Sequence, residues 1–127
     1  MDQVASEPAM VNTILLVVKD SPQEEGRVAE GFRMATAMIA MDVLPQILLV
    51  DDGVFWLVKK KLDEFENPSI KERLQTLSDL VGLQVLSDSL AQRKLKLNDL
   101  DEGYNARALS LDEAVELIMQ NDAVIAF

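Results

Sequence analysis

The sequence contains no cysteine and no histidine, and aromatic residues make up only 5% of its 127 positions. These absences exclude thiolate nucleophiles, thiolate and imidazole metal ligands, Ser-His triads and imidazole acid–base catalysis. No apolar run approaches the ~20 residues that a membrane-spanning helix needs. The first residues, Met1 to Glu7, are acidic and lack the apolar stretch of a signal peptide. We therefore expect a cytoplasmic protein.

Positive charge is also scarce, because 12 Lys and Arg residues face 22 Asp and Glu residues, for a net charge of −10. Nucleic acids and anionic membranes both require a basic binding surface, so we expect neither as a partner. The one basic run, Lys59 to Lys61, fits a solvated patch. The length suits a single domain with a sizeable core. Residues 1–11 lack periodicity and are predicted to be a flexible lead-in to a domain over residues 12–127.

Short apolar runs alternate with helical periodicities along the chain. Strands are predicted over 12–19, 47–50, 83–86, 106–109 and 123–127, and helices over 22–41, 69–81, 87–94 and 111–121. Ser21 with Glu24, and Ser110 with Glu113, have the spacing of capping boxes. In the last helix the apolar stripe is expected to consist of Leu111, Ala114, Val115 and Ile118. The alternation predicts a three-layer α/β/α domain on a mainly parallel, five-stranded sheet.

Carboxylates follow the first two predicted strands, at Asp20 and at Asp51 and Asp52. Ligands of open α/β sheets bind at the carboxyl ends of the strands, although such residues also serve simply to cap and solubilise loops. The turn after the first strand has no glycine, so it cannot be a phosphate-binding loop. A magnesium-binding receiver domain does not fit, because its acidic pair follows the first strand rather than the second. Carboxylate-based hydrolysis or metal chemistry at these three residues remains an alternative.

Three motifs occur in a characteristic order. A strand ends at Lys19 with Pro22 nearby, and the following helix contains the run 30–35, Glu-Gly-Phe-Arg-Met-Ala. A second strand closes in Asp52-Gly53-Val54. The last strand has the pattern Asp-x-Val-Ile-x-Phe over 122–127. From Asn12 onward the sequence resembles the DsrE/DsrF-like family of sulfur-relay proteins. The resemblance implies a flavodoxin-like five-stranded sheet and assembly into dimers, trimers or hexamers.

The resemblance also implies a persulfide-accepting cysteine just after the third strand, with a basic stretch several residues later. Arg93-Lys94 looks like that basic stretch, which puts the cysteine position at Ser87. A serine hydroxyl cannot form a persulfide. The chain therefore resembles TusC and DsrF type subunits, which belong to the oligomer without being its essential sulfur acceptor. We expect a non-catalytic subunit, accessory to sulfur transfer, that needs no metal or cofactor and assembles with itself or with a cysteine-bearing DsrE-type relative.

Two groups of residues leave alternatives open. A vestigial pocket is predicted at the strand ends, formed by Lys19, Asp20, Asp51, Asp52, Ser87 and Ser89. The segment from Ser87 to Ser89 also fits a helix N-cap. Phe55 and Trp56 suit either core packing or a subunit interface, since aromatic residues are favoured in interface cores. A small-molecule-binding or regulatory protein that kept the fold and lost the thiol is the competing function.

Overall fold

The computed structural model of the chain describes residues 13–22, 25–59 and 68–127. Its strands are β1 (Ile14–Val18), β2 (Gln46–Leu49), β3 (Gln84–Leu86), β4 (Arg107–Leu109) and β5 (Ala123–Ala126). Its α-helices are α1 (Glu25–Ala40), α2 (Pro68–Leu80), α3 (Ser87–Gln92) and α4 (Leu111–Gln120). The 3₁₀ segments are Asp51–Leu57, Leu97–Asp99 and Glu102–Tyr104. The predicted lead-in, Glu24 of the first capping box, and Lys60 and Lys61 lie outside the described residues.

The five strands form one parallel sheet in the order β4-β3-β2-β1-β5. The predicted five-stranded, flavodoxin-like α/β/α architecture is confirmed. The chain moves outward from β1 through β2 and β3 to β4, and then crosses back to place β5 beside β1. Because parallel crossovers are right-handed, reversing the direction of travel moves the connecting helix to the opposite face of the sheet. This is why α4 is separated from α1 and α2.

Two apolar clusters lie on the two faces of the sheet. The larger one joins alternate strand residues to α1, α2 and the 3₁₀ segment 51–57, and its members include Leu16, Ile47, Phe32, Leu74 and Trp56. The smaller one joins the opposite strand faces to α4, with Leu15, Leu48, Leu109, Ala114 and Leu117. Alternate residues of β1 thus enter different cores, as expected for a strand that is buried on both faces.

Helix α4 begins and ends as predicted, but it presents a different side to the sheet. The Ser110 side chain accepts a hydrogen bond from the Glu113 backbone and the Glu113 carboxylate accepts one from the Ser110 backbone, so this capping box is confirmed. The predicted stripe is wrong for Leu111, Val115 and Ile118, because their side chains are exposed. Ala114 and Leu117 are the α4 residues that face the core. The apolar side chains of α4 cover more than half of its circumference, so the sequence periodicity does not determine which side of the helix packs on the sheet.

Gly53 lies where the chain leaving β2 passes over the end of β1. A Cβ atom at this position would lie only 2.0 Å from the Val18 carbonyl oxygen and 2.7 Å from the Val18 carbonyl carbon. The approach is held by the Val50 N–H, which donates to the Val18 carbonyl oxygen at 2.9 Å. Both obstructing atoms belong to the backbone of a core strand. Only glycine therefore fits without moving the sheet or the 3₁₀ segment.

Gly53→Ala is expected to lower the free energy of unfolding by about 2–3 kcal/mol or more, because a core backbone must shift to admit the methyl group. The matched control is Gly26→Ala in α1, where a Cβ would meet no atom within 4 Å. Replacing this helical glycine should be neutral or stabilising by up to about 1 kcal/mol. Urea unfolding monitored by circular dichroism measures both changes. Equal effects of the two substitutions would contradict the proposed steric role of Gly53.

Candidate functional site

The carboxyl ends of β1, β2 and β3 lie side by side, because these strands are neighbours in a parallel sheet. Lys19 and Asp20 follow β1, Asp51 and Asp52 follow β2, and Ser87 begins α3 directly after β3. The topology therefore brings the predicted pocket residues to one edge of the sheet.

Ser89 connects the segments that follow β2 and β3. Its side chain is buried, with only 1% of the residue exposed. The Ser89 hydroxyl oxygen accepts a hydrogen bond of 2.8 Å from the Asp51 backbone N–H. Asp51 has a left-handed backbone, with φ of 50°. Ser89 thus fixes the first residue of the 3₁₀ segment, while its part in a vestigial pocket stays a prediction.

The N-cap interpretation of Ser87 to Ser89 is wrong. The residue at the N-cap position of α3 is Leu86, and no side chain caps the helix there. Ser87 is the first helical residue and is half-buried. Its correspondence to the cysteine position implied by the family resemblance stays a prediction.

Arg93 forms a second connection between these segments. Its Nε donates to Asp52 Oδ1 at 2.9 Å, and its Nη1 donates to the Ser89 carbonyl oxygen at 3.2 Å. The Arg93 side chain is only 20% exposed, whereas that of Asp52 is 59% exposed. The basic residue expected to follow the cysteine position is therefore engaged by the acidic loop after β2. This pairing was not predicted, because 41 positions separate the two residues.

Trp56 packs inside the chain itself. Its ring meets the Phe32 ring edge-on at a centroid distance of 5.3 Å, and its Nε1 donates to the Asp20 carbonyl oxygen at 2.8 Å. Only 4% of Trp56 is exposed, which leaves little of it to contact another subunit. Phe55 is half-buried. The interface role of this pair stays a prediction, while the observed contacts of Trp56 are those of a core residue.

The carboxylates of this edge do not converge on one point. Asp20 Oδ1 pairs with Lys19 Nζ at 3.3 Å, and Asp52 pairs with Arg93 as above. Within residues 13–22, 25–59 and 68–127, no group of three carboxylates, histidines or cysteines could hold a metal ion. Hard cations require several oxygen ligands around one position. The described residues therefore give no support to the carboxylate or metal-dependent alternative.

A cavity of about 440 Å³ lies elsewhere, beside the two 3₁₀ turns that precede β4. None of the predicted pocket residues lines it. The lining residues are Lys59, Leu97, Asn98, Leu100, Asp101, Glu102, Asn105 and Ala106. Its volume is within the range of small-molecule sites. This cavity was not predicted, since no site was expected between the predicted helix over 87–94 and the predicted strand over 106–109.

Asp101 is the best-connected charged residue at this cavity. Its Oδ1 accepts from the Gly103 backbone N–H at 2.9 Å, and its Oδ2 accepts from Lys71 Nζ at 3.3 Å. The Gly103 hydrogen bond, aided by Lys71, holds the pKa of Asp101 below its ordinary value. Next to it, burial raises the pKa of Tyr104 to about 12, and the Tyr104 hydroxyl has no hydrogen-bond partner among the residues that the structure describes. The cavity lining thus combines charged residues, Lys59, Asp101 and Glu102, with apolar ones, Leu97, Leu100 and Ala106.

By its fold and its strand-end site, this protein is an α/β/α domain with an all-parallel, five-stranded sheet and a serine as the first residue after β3. The sequence profile of the DsrE/DsrF-like family matches residues 12–127, and the chain belongs to this family. Among the residues described, no helix has the length and apolar character needed to cross a membrane.

Two solved structures are similar to this chain. The YchN protein of E. coli superposes with a TM-score of 0.72 at 19% identity, covering 91% of this chain and 99% of its own. MTH1491 of Methanobacterium thermoautotrophicum, described as a protein of unknown function, gives a TM-score of 0.60 at 18% identity and covers 93% and 100%. At these identities the likeness establishes the fold. No curated protein sequence matches the chain significantly.

Ser89→Ala is expected to lower the free energy of unfolding by about 1–3 kcal/mol, because the Asp51 N–H loses its acceptor. Ser87→Ala, two positions away, is the matched control and should change it by no more than about 0.5 kcal/mol. Chemical denaturation at constant m-value measures both. A Ser89→Ala variant as stable as the control would mean that the hydrogen bond to Asp51 does not hold the loop.

Proposed function

We propose that this chain is a non-catalytic subunit of the DsrE/DsrF-like type, which acts by assembling with itself or with a cysteine-bearing relative in a role accessory to sulfur transfer. The observation that carries the proposal is the serine at position 87. This residue begins α3 directly after β3, and the 127 residues contain no cysteine that could replace the thiol. Membership of the family suggests the connection to sulfur relay.

The chemistry of persulfides supports a non-catalytic role. A persulfide carrier needs a cysteine thiolate, because the outer sulfur of a persulfide is bonded to another sulfur atom. A serine hydroxyl offers no such atom and stays protonated at neutral pH. Within this chain no persulfide can form, so a persulfide in the assembly would have to be carried by a partner.

The contacts around position 87 also favour a structural role. Ser89 accepts from the Asp51 backbone, and Arg93 is held by Asp52 and by the Ser89 carbonyl oxygen. These polar groups satisfy one another within the chain. They stabilise the strand ends.

The cavity beside Asp101 supports a second candidate, a small-molecule-binding or regulatory protein that kept the fold and lost the thiol. Its volume of about 440 Å³ is large enough for a small metabolite. It is separate from the strand-end residues. A ligand of this cavity would raise Tm by mass action, whereas assembly through a distant surface would not require one.

Ser87→Cys tests whether position 87 still faces an accessible space. Because the chain has no other cysteine, the variant carries a single thiol. We expect this thiol to be alkylated by iodoacetamide in the folded protein at a rate within about tenfold of the unfolded rate, which mass spectrometry measures. Ser89→Cys is the matched control and should stay unmodified, since residue 89 is only 1% exposed. A Ser87→Cys thiol as protected as the control would refute the vestigial-pocket hypothesis.

The native complex provides the direct test of the proposed function. We expect the tagged chain, purified from its own cells, to elute above the mass of a 14.1 kDa monomer. Mass spectrometry of this fraction should identify either the chain alone or a DsrE-type relative with a cysteine after its third strand. A monomeric native protein whose Tm rises with a metabolite would instead favour the binding-protein candidate.

A further inference from the structure

The cavity beside the two 3₁₀ turns presents both signs of charge within a short distance. Lys59 Nζ lies 3.9 Å from Glu102 Oε1, and their side chains are 54 and 90% exposed. Asp101, the third charged residue of the lining, stays ionised because the Gly103 backbone hydrogen bond, Lys71 and Lys59 hold its pKa below the ordinary value. A ligand at this position therefore meets one ammonium group and two carboxylates.

Backbone hydrogen bonds hold these charges in place before any ligand arrives. The Lys59 N–H donates to the Asp99 carbonyl oxygen at 3.2 Å. The Asp101 N–H donates to the Leu57 carbonyl oxygen at 2.7 Å. The end of the 3₁₀ segment 51–57 is thus fixed beside the turns that precede β4. A preformed site of this kind loses less entropy on binding than a site that its ligand must order.

Apolar surface lies next to the charged groups. Leu100 is buried, whereas Leu97 is 49% exposed and still has accessible area that a ligand can cover. Ala106 is half-buried. The exposed amides of Asn98 and Asn105 complete the lining with groups that both donate and accept hydrogen bonds. A ligand that matches this lining has an apolar part beside charged or hydrogen-bonding groups.

The balance of charge selects among such molecules. Asp101 and Glu102 repel an anion, and Lys59 repels a cation. A zwitterion avoids both penalties, because its ammonium group can face the carboxylates while its own carboxylate faces Lys59. In an α-amino acid these two groups lie roughly 3 Å apart, close to the 3.9 Å between Lys59 Nζ and Glu102 Oε1. Four charges of alternating sign then lie next to one another at the cavity wall.

We propose that this cavity binds an α-amino acid with an apolar side chain. Glu102 and Asp101 bind its ammonium group, and Lys59 binds its carboxylate. The apolar side chain of the ligand packs on Leu97. The volume of about 440 Å³ has room for a side chain as large as that of leucine. This inference rests on the second candidate function, small-molecule binding at this cavity, and names the class of ligand.

The probe is L-leucine, and NMR titration of the ¹⁵N-labelled protein at neutral pH measures its dissociation constant. The amide signals of residues 97–106 should shift. N-acetyl-L-leucine lacks the ammonium charge and L-leucinamide lacks the carboxylate, so both are matched control ligands. We expect each to bind about fivefold more weakly than L-leucine or worse, because each loses one ion pair and keeps an unbalanced charge. Equal affinities of the three compounds, or no saturable shifts with L-leucine, would overturn the proposal.

Glu102→Gln tests the ammonium contact from the side of the protein. It should weaken L-leucine binding about threefold or more and leave the affinity for N-acetyl-L-leucine within about twofold, since that compound has no ammonium group. Glu116→Gln is the matched control variant, because Glu116 is an exposed carboxylate of α4 that does not line this cavity. It should change neither affinity. Equal weakening of both compounds by Glu102→Gln would contradict the proposed contact.

Failure of this inference is distinguishable from failure of the functions proposed above. If an uncharged or anionic metabolite shifts the amides of residues 97–106 and L-leucine does not, the cavity binds small molecules but the amino-acid class is wrong. The accessory role does not depend on either result, because it is tested by the native mass and by a co-purifying relative that carries a cysteine.

Discussion

The close contact between Gly53 and the Val18 carbonyl group determines how the strand ends are organised. Because residue 53 has no side chain, the 3₁₀ segment after β2 can lie directly on the end of β1. That position brings Trp56 to the Asp20 carbonyl oxygen and puts Asp51 and Asp52 within reach of α3. These contacts connect the ends of β1, β2 and β3 in addition to the backbone hydrogen bonds between the strands. A larger residue at this point would separate all of these contacts at once.

Much of the fold could be predicted from local patterns. The strands are short, largely apolar runs, of which β1, β3 and β4 are followed directly by a polar residue. The Ser110 capping box marks the start of α4 within one residue. The three-layer architecture follows from the alternation of such elements. These features depend on residues that are neighbours in sequence, so the sequence specifies them directly.

The contacts of the candidate site could not be predicted in this way. The bond between Ser89 and Asp51 joins residues 38 positions apart, and that between Arg93 and Asp52 joins residues 41 apart. The orientation of α4 was predicted wrongly because its apolar residues occupy a wide arc. The reversed last crossover decides which part of that arc meets the sheet, and this is a property of the topology. The position of Ser87 after β3 was predicted correctly because it follows directly from the strand pattern.

The pairing of β1 with β5 also affects the order of events in folding. Thr13 and Asp122, which are hydrogen-bonded at the start of these strands, are 109 positions apart. Contacts of such long range form late, because closing a long loop costs entropy before the strand pairing compensates for it. Because β1 and β5 are the first and last of the described strands in sequence, the sheet is complete only once the two ends of the domain have met.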